Sequence, residues 1–152
     1  MSENLIIGCV TMAVGLAFQC VFVSLLFTIL LNLEKRLLIN ATLFGMSSLL
    51  ITVMLALLAG NLLQMTLWAG VFFACGEFTD FATAFYHSVV NFSTLGYGDV
   101  VMSEQRRLLG ALEAVNGVLM FGLTTGFLFA ILWAVLDREW DRRVHESGKS
   151  GP

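Results

Sequence analysis

Apolar residues occur along this chain in long blocks that short polar segments separate. The first block, Leu5–Leu33, is apolar apart from isolated Ser, Thr, Gln and Asn residues, and charged residues 34–36 follow it. A run of this length exceeds the ~20 residues that a helix needs to cross the hydrocarbon core of a bilayer. We therefore predict a membrane-spanning helix. Because its basic residues follow the apolar run, we expect it to be retained rather than cleaved as a signal peptide.

The second block extends from Ala41 to about Ala74, and a helix of this length would measure roughly 50 Å against the ~30 Å of the hydrocarbon core. It either breaks at Gly60 and Asn61 or crosses as one long, tilted helix. One helix places six of the eight Lys and Arg residues on the cytoplasmic side, whereas a break places four on each side. Since basic residues favour the cytoplasmic side, we predict one helix, with the N-terminus outside and the C-terminus in the cytoplasm.

Residues 76–103 are too polar and too rich in glycine to span a membrane. They include an amphipathic stretch, Phe81–Phe92, which Thr79 or Asp80 can cap as a short helix. A third apolar block, Leu108–Leu136, follows. The order predicts an all-α membrane protein with three spans and a re-entrant helix before the last one.

Composition narrows the function classes. The chain has 152 residues, of which 58% are hydrophobic and 12% charged, whereas soluble proteins have roughly 25% charged residues. Its basic residues form no broad face for nucleic acid. The sequence has no metal-ligand cluster, nucleophile–base pair or phosphate-binding loop, so we expect neither an enzyme nor a cofactor, and the lipid bilayer as surroundings. The first helix has no repeated Arg or Lys, so it is no charged voltage sensor.

Directly after the short helix comes Thr-Leu-Gly-Tyr-Gly-Asp, residues 94–99. Non-helical backbone at membrane depth is tolerated where protein buries it or where it lines a watery path. Consecutive carbonyls can replace the water shell of a cation if they point toward one axis, which requires alternating backbone conformations that glycine adopts readily. Gly96 and Gly98 supply them. Thr94 adds a hydroxyl at the inner end, and Tyr97 points its ring away from the axis.

Thr-x-Gly-Tyr-Gly-Asp between a short helix and a final span resembles the signature of the potassium-channel pore-domain family, as found in bacterial two-helix potassium channels. The likeness implies a homotetramer in the plasma membrane. It implies a pore domain over residues 41–136, an additional N-terminal helix and loop over residues 1–40, and a short cytoplasmic tail over residues 137–152. It also implies that the filter holds K⁺, the permeant ion, at Thr94, Leu95, Gly96 and Tyr97, with Gly98 as a further filter residue.

The same resemblance assigns a supporting role to four side chains around the filter: Asp99, Tyr86, His87 and Ser93. Tyr86 can donate a hydrogen bond to Asp99. His87 stands where many relatives carry an aromatic residue, and we expect it to bond Tyr97. It is either a satisfied structural histidine or a group that titrates near the outer mouth.

Glu113 is an acid inside the last apolar block. Ionisable residues within a membrane are costly and are therefore candidates for function. Arg106 lies ~2 helical turns away, too far to be a good partner. We expect Glu113 to hydrogen-bond Ser88 or Asn91 on the short helix and to brace the filter. The alternative is an acid that faces water or is merely tolerated.

In the last helix, the resemblance implies that Gly117 is a hinge and that the inner bundle crossing lies between Phe129 and Trp133. It turns the side chains of Val118, Phe121 and Thr125 toward a cavity. The leading prediction is passive K⁺ conduction without an intrinsic voltage sensor or ligand-binding domain. The alternatives are a weakly selective cation channel and a non-conducting regulatory or assembly subunit.

Overall fold

The computed structural model describes residues 2–37 and 43–149, which form four α-helices. They are α1 (Ser2–Leu37), α2 (Leu43–Ala74), α3 (Phe81–Phe92) and α4 (Arg107–Lys149). Three of them contain a stretch long and apolar enough to cross a membrane: Ser2–Leu30, Ser47–Ala74 and Arg107–Ala134. Within the described ranges there is no β-strand. The all-α fold with three spans is as predicted, and α3, at 12 residues, is too short to span.

Helix α2 runs without interruption past Gly60, which confirms one long helix instead of two short ones. It ends where Gly76 adopts a φ of 74°. The main-chain N–H of Gly76 donates to the carbonyl of Phe73, and that of Glu77 donates to the carbonyl of Phe72. This pair of bonds satisfies the last carbonyls of the helix and turns the chain sharply back toward α3.

Helix α4 is longer than the apolar block that predicted it. It continues past Leu136 to Lys149, so most of the expected tail extends the helix. Its 43 residues correspond to about 65 Å, roughly twice the thickness of the hydrocarbon core. The helix therefore projects well beyond the part that can cross the membrane.

Helix α3 packs against both α2 and α4, and α1 packs against the same two helices of its own chain. The largest buried apolar cluster lies where α2, α3 and α4 meet, and it consists of Met65, Trp68, Phe72, Phe92, Leu109 and Met120. A second cluster of Val53, Leu57 and Ile131 joins α2 to the later part of α4. The short helix is thus held at one end of the bundle.

Candidate ion-conduction site

Asp80 determines where the short helix α3 begins. Its backbone is extended, and its carboxylate accepts hydrogen bonds from the main-chain N–H of Thr83 at 2.8 Å and from the Thr83 hydroxyl at 2.7 Å. The bond from the hydroxyl and then that from the N–H hold the pKa of Asp80 below its ordinary value. A carboxylate here complements the positive end of the helix dipole. The negative end, at Phe92, then adjoins residues 94–99.

The backbone of residues 94–98 alternates in conformation. Thr94, Gly96 and Gly98 have φ angles of 59°, 57° and 75°, while φ is negative at Leu95 and Tyr97. Among the described residues, Thr94 is the single non-glycine residue with a positive φ. Such a conformation is an outlier for a β-branched residue and persists where the surrounding structure imposes it, commonly at functional sites. No pattern in the sequence indicated that Thr94 shares the conformation of the two glycines.

The first residues of this segment are tied to the end of α3. The N–H of Thr94 donates to the carbonyl of Asn91, and the N–H of Leu95 donates to the carbonyl of Val90, both at 2.9 Å. The Ser93 hydroxyl donates to a carbonyl one turn earlier in the helix at 2.7 Å. These bonds make residues 94–95 a direct continuation of α3, so any displacement of the helix end displaces them.

Tyr86 and Asp99 are joined across the outer end of the segment. The Tyr86 hydroxyl donates to Oδ2 of Asp99 at 2.6 Å, as the sequence analysis allowed. This bond lowers the pKa of Asp99 and raises the pKa of Tyr86 from their ordinary values. Asp99 therefore carries its negative charge at the mouth of the segment over the whole neutral pH range.

His87 has a different partner from the one expected. Its Nδ1 lies 3.0 Å from the carbonyl of Val100 rather than bonding Tyr97, and its ring packs against Phe72 and Phe78. Because a carbonyl only accepts, Nδ1 carries the proton, and the buried Nε2 has no partner among the described residues. Burial in this aromatic setting lowers the pKa of His87. The expected bond to Tyr97 is not made among the described residues, because the carbonyl of Val100 occupies Nδ1 instead.

Glu113 is fully buried and faces α3. Its carboxyl group is hydrogen-bonded to the Ser88 hydroxyl and accepts another hydrogen bond, at 3.0 Å, from Nδ2 of Asn91. Asn91 also donates to the carbonyl of Gly110, one turn earlier in α4. Both predicted partners, Ser88 and Asn91, are therefore present, and the cluster joins α4 to the helix that residues 94–99 follow.

Two further contacts, neither of them predicted, hold the loops that flank α3. The main-chain N–H and the hydroxyl of Ser103 each donate to the Glu77 carboxylate at 2.9 Å. Nη1 of Arg106 donates to Oδ1 of Asn4 at 3.3 Å, and Asn4 in turn donates to the carbonyl of Gln105. The start of α1, the end of α2 and the start of α4 thus meet at the end of the bundle where α3 begins.

The residues expected to line a cavity occupy one side of α4. Their intervals of three or four residues place them on one face of the helix, and all are exposed in the single chain: Val118, Phe121, Thr125, Phe129 and Trp133. The Phe121 ring also packs edge-on against Phe92 at 5.6 Å between centroids. This face therefore begins beside the end of α3, which residues 94–99 follow.

Gly117 allows a close approach between two backbones. A Cβ added there would collide with the carbonyl of Phe92, at the end of α3. Helix α4 shows no interruption at this position. The structure therefore gives Gly117 a packing role that sequence spacing did not reveal, and the expected hinge stays a prediction.

Residues 62–134 match the family model described as "Ion channel". This segment runs from within α2 through α3 and residues 94–99 to the end of the membrane-crossing part of α4. The comparisons with curated proteins and with solved structures give no match. With its three apolar helices and this match, the protein is an integral membrane protein in which residues 62–134 are similar to an ion channel domain.

Proposed function

We propose that the protein is a potassium-selective channel in which residues 94–98 form the selectivity filter and bind K⁺ through backbone carbonyls. The observation that carries this proposal is the alternation of positive φ at Thr94, Gly96 and Gly98. Alternating conformations turn successive carbonyls to the same side of the chain, where they can replace the water shell of a cation. Thr94, Leu95, Gly96 and Tyr97 are the residues assigned to ion coordination.

The backbone that is exposed in a single chain supports assembly as a homotetramer. Residues 94–99 are all exposed in one protomer, yet irregular backbone at membrane depth must be covered by protein or line water. One strand also supplies only a part of the ring of carbonyls that surrounds each ion. Four copies around one axis meet both requirements.

The parts of the pore below the filter have compatible chemistry. The carboxyl-terminal end of α3 carries the negative end of the helix dipole, which favours a cation at the inner end of the filter. Val118, Phe121 and Thr125 form the wall of the cavity, and Phe129 to Trp133 form its narrow inner end. Conduction through this path is passive and needs no cofactor.

The proposed orientation places the filter mouth and the N-terminus outside the plasma membrane and the C-terminus in the cytoplasm. Asn4 and Arg106 are in contact, so α1 begins at the same end of the bundle as α4, next to the filter mouth. Six of the eight basic residues lie toward the opposite end, which matches the cytoplasmic preference of Lys and Arg. Reporters fused to the two termini should be accessible from opposite sides of the membrane.

Reconstitution of the purified chain into planar bilayers tests the proposal. With K⁺ on one side and Na⁺ on the other, the reversal potential should be displaced from zero in the direction that K⁺ selectivity requires. A reversal potential near zero would show a weakly selective cation channel. Absence of current in assembled protein would show a non-conducting subunit.

A further inference from the structure

Helix α1 faces its neighbours through small and polar side chains. Within its described part, the buried residues are Asn4, Gly8, Thr11, Gly15 and Gln19. Their spacing of three or four residues makes one continuous face. In lipid, small residues let two backbones approach, and polar side chains hydrogen-bond across the interface. This face is therefore built for a specific contact with α2 and α4.

Three amide side chains, which we call the amide row, connect α1 to the other two spans. Nε2 of Gln64 on α2 donates to Oε1 of Gln19 on α1 at 3.0 Å. Nδ2 of Asn116 on α4 donates to Oε1 of Gln64 at 3.4 Å. The exposed fractions of Gln19, Gln64 and Asn116 are 0%, 1% and 0%. Gly15 leaves room for this row, because a Cβ there would lie 2.7 Å from Oε1 of Gln64.

On α4, the amide row adjoins residues that contact the helix carrying the filter. Asn116 directly precedes Gly117, whose backbone lies against the carbonyl of Phe92. It also lies about one helical turn from Glu113 on the same face, and Glu113 is hydrogen-bonded to Ser88 and Asn91 of α3. A rotation of α4 that moved Asn116 would therefore move both contacts with α3.

On α2, the amide row adjoins a second connection. Gln64 directly precedes Met65, whose carbonyl accepts a hydrogen bond from the Ser88 hydroxyl at 2.8 Å. Ser88 lies one turn before Asn91, and the carbonyl of Asn91 accepts from the N–H of Thr94. A series of hydrogen bonds, joined by the adjacent residues Gln64 and Met65 and by one turn of α3, thus connects α1 to the first residue of the filter.

We propose that α1 positions the selectivity filter, with Gln19, Gln64 and Asn116 as the positioning residues; this inference rests on the proposed function. Nε2 of Gln19 and Oδ1 of Asn116 have no partner among the described residues, so the bonds within the row are the ones that fix both side chains. Breaking them leaves buried amides unsatisfied, and α1 and α4 then rotate to find other partners. This rotation displaces the end of α3 and, with it, the filter.

The test compares Gln19→Leu and the double variant Gln19→Leu/Gln64→Leu with the wild-type chain. Thr66→Val is the matched control, since Thr66 lies on the exposed side of α2 and donates only to a carbonyl of its own helix. Two quantities are measured: the K⁺/Na⁺ permeability ratio in bilayers, and the unfolding temperature of the assembly in KCl and in NaCl. An ion that binds the folded filter alone raises the unfolding temperature, so the difference between the salts reports filter integrity.

We expect Gln19→Leu to lower the permeability ratio about threefold, the factor that a typical interhelical hydrogen bond supplies. The extra stabilisation in KCl should shrink, while Thr66→Val behaves as wild type. The double variant removes both partners of the Gln19–Gln64 bond but leaves buried Asn116 without its partner, so it should be no more stable than the single variant and should lower the permeability ratio further. Where Gln19→Leu does not assemble, Gln19→Asn shortens the side chain, keeps its polarity and should lower the same two quantities.

A merely structural role for α1 would appear as equal losses of unfolding temperature in both salts with an unchanged permeability ratio. That result would overturn the inference and leave the proposed function intact. A wild-type chain without any K⁺ preference in either measurement would overturn the proposed function, and this inference with it.

Discussion

The backbone of Gly117 on α4 lies directly against the carbonyl of Phe92 at the end of α3. Gly117→Ala places a methyl group on that carbonyl, so one helix must move away from the other. Such overpacking costs about 1–3 kcal/mol. We expect a lower unfolding temperature of the assembled protein and weaker K⁺ selectivity, because the displaced carbonyl adjoins the filter.

Gly122 provides the control for this substitution, since a Cβ there meets nothing within 4 Å. Gly122→Ala should leave stability unchanged or raise it slightly, because alanine favours the helix. If Gly117→Ala were as well tolerated and changed only the opening of the channel, Gly117 would be a hinge and not a packing position.

Gly96 and Gly98 require a backbone conformation that side chains oppose. At φ angles of 57° and 75°, an added Cβ costs about 1 kcal/mol or more per residue, although a Cβ would meet no neighbour within 4 Å. Either glycine-to-alanine substitution should abolish K⁺ selectivity or current while leaving membrane insertion unchanged. Reversal potentials in mixed K⁺ and Na⁺ measure the effect.

Gly70→Ala is the matched control in α2, where the space around the added Cβ is also open and φ is not in the positive range. It should conduct like the wild type. Normal discrimination between K⁺ and Na⁺ in Gly96→Ala or Gly98→Ala would refute the assignment of the filter.

Two substitutions of Glu113 distinguish a side chain that braces the filter from one that faces the water path. Glu113→Gln keeps an acceptor for Asn91 and offers a donor to the Ser88 hydroxyl, so conduction should persist. Glu113→Ala leaves Asn91 with an unmet donor, a loss of about 1–3 kcal/mol, and should weaken the assembly or speed filter inactivation. Current decay and unfolding temperature measure these outcomes. Equal reductions of conductance by both substitutions, with stability unchanged, would indicate an acid in the water path.

His87 should make the stability of the folded protein depend on pH. Its pKa lies below the ordinary 6.5 because the ring is buried. As the pH falls below 6.5, the unfolded chain binds a proton that the folded chain does not, and stability falls until the lower folded pKa is passed. His87→Phe, which fits the contacts with Phe72 and Phe78, should remove this part of the pH dependence. Unfolding temperatures between about pH 8 and pH 5 test the sign; identical profiles for the two proteins would contradict it.

The distribution of Lys and Arg predicted the single course of α2, and the apolar pattern was enough to predict the spans and the short amphipathic helix that Asp80 caps. It was also enough to place Glu113 beside Ser88 and Asn91, because depth along a helix follows from residue count. The end of α4 was not predicted in this way, since the residues after Leu136 are mostly polar and lie beyond the apolar block, yet the helix continues through them to Lys149.

Contacts that depend on how separate segments meet were not predictable. His87 reaches Val100 and not Tyr97 because of the path that the chain takes after the filter. Gly117 allows α4 to approach Phe92 closely, and residue spacing along one helix does not predict such a contact between two helices. The polar residues Gln19 and Gln64 were visible within the apolar blocks, and their burial in lipid was a signal for partners. The sequence did not reveal that these residues bond each other.

The buried face of α1 also affects how the protein assembles during its synthesis. Gln19 bonds a residue 45 positions later in the chain, and Asn4 bonds one 102 positions later. Helix α1 is apolar enough to enter the bilayer when it leaves the ribosome, but its amides find their final partners only after α2 and then α4 have been synthesised and inserted. Until then, its polar groups are open to incorrect neighbours, so substitutions on this face should reduce the yield of assembled protein during biosynthesis even where the finished assembly is stable.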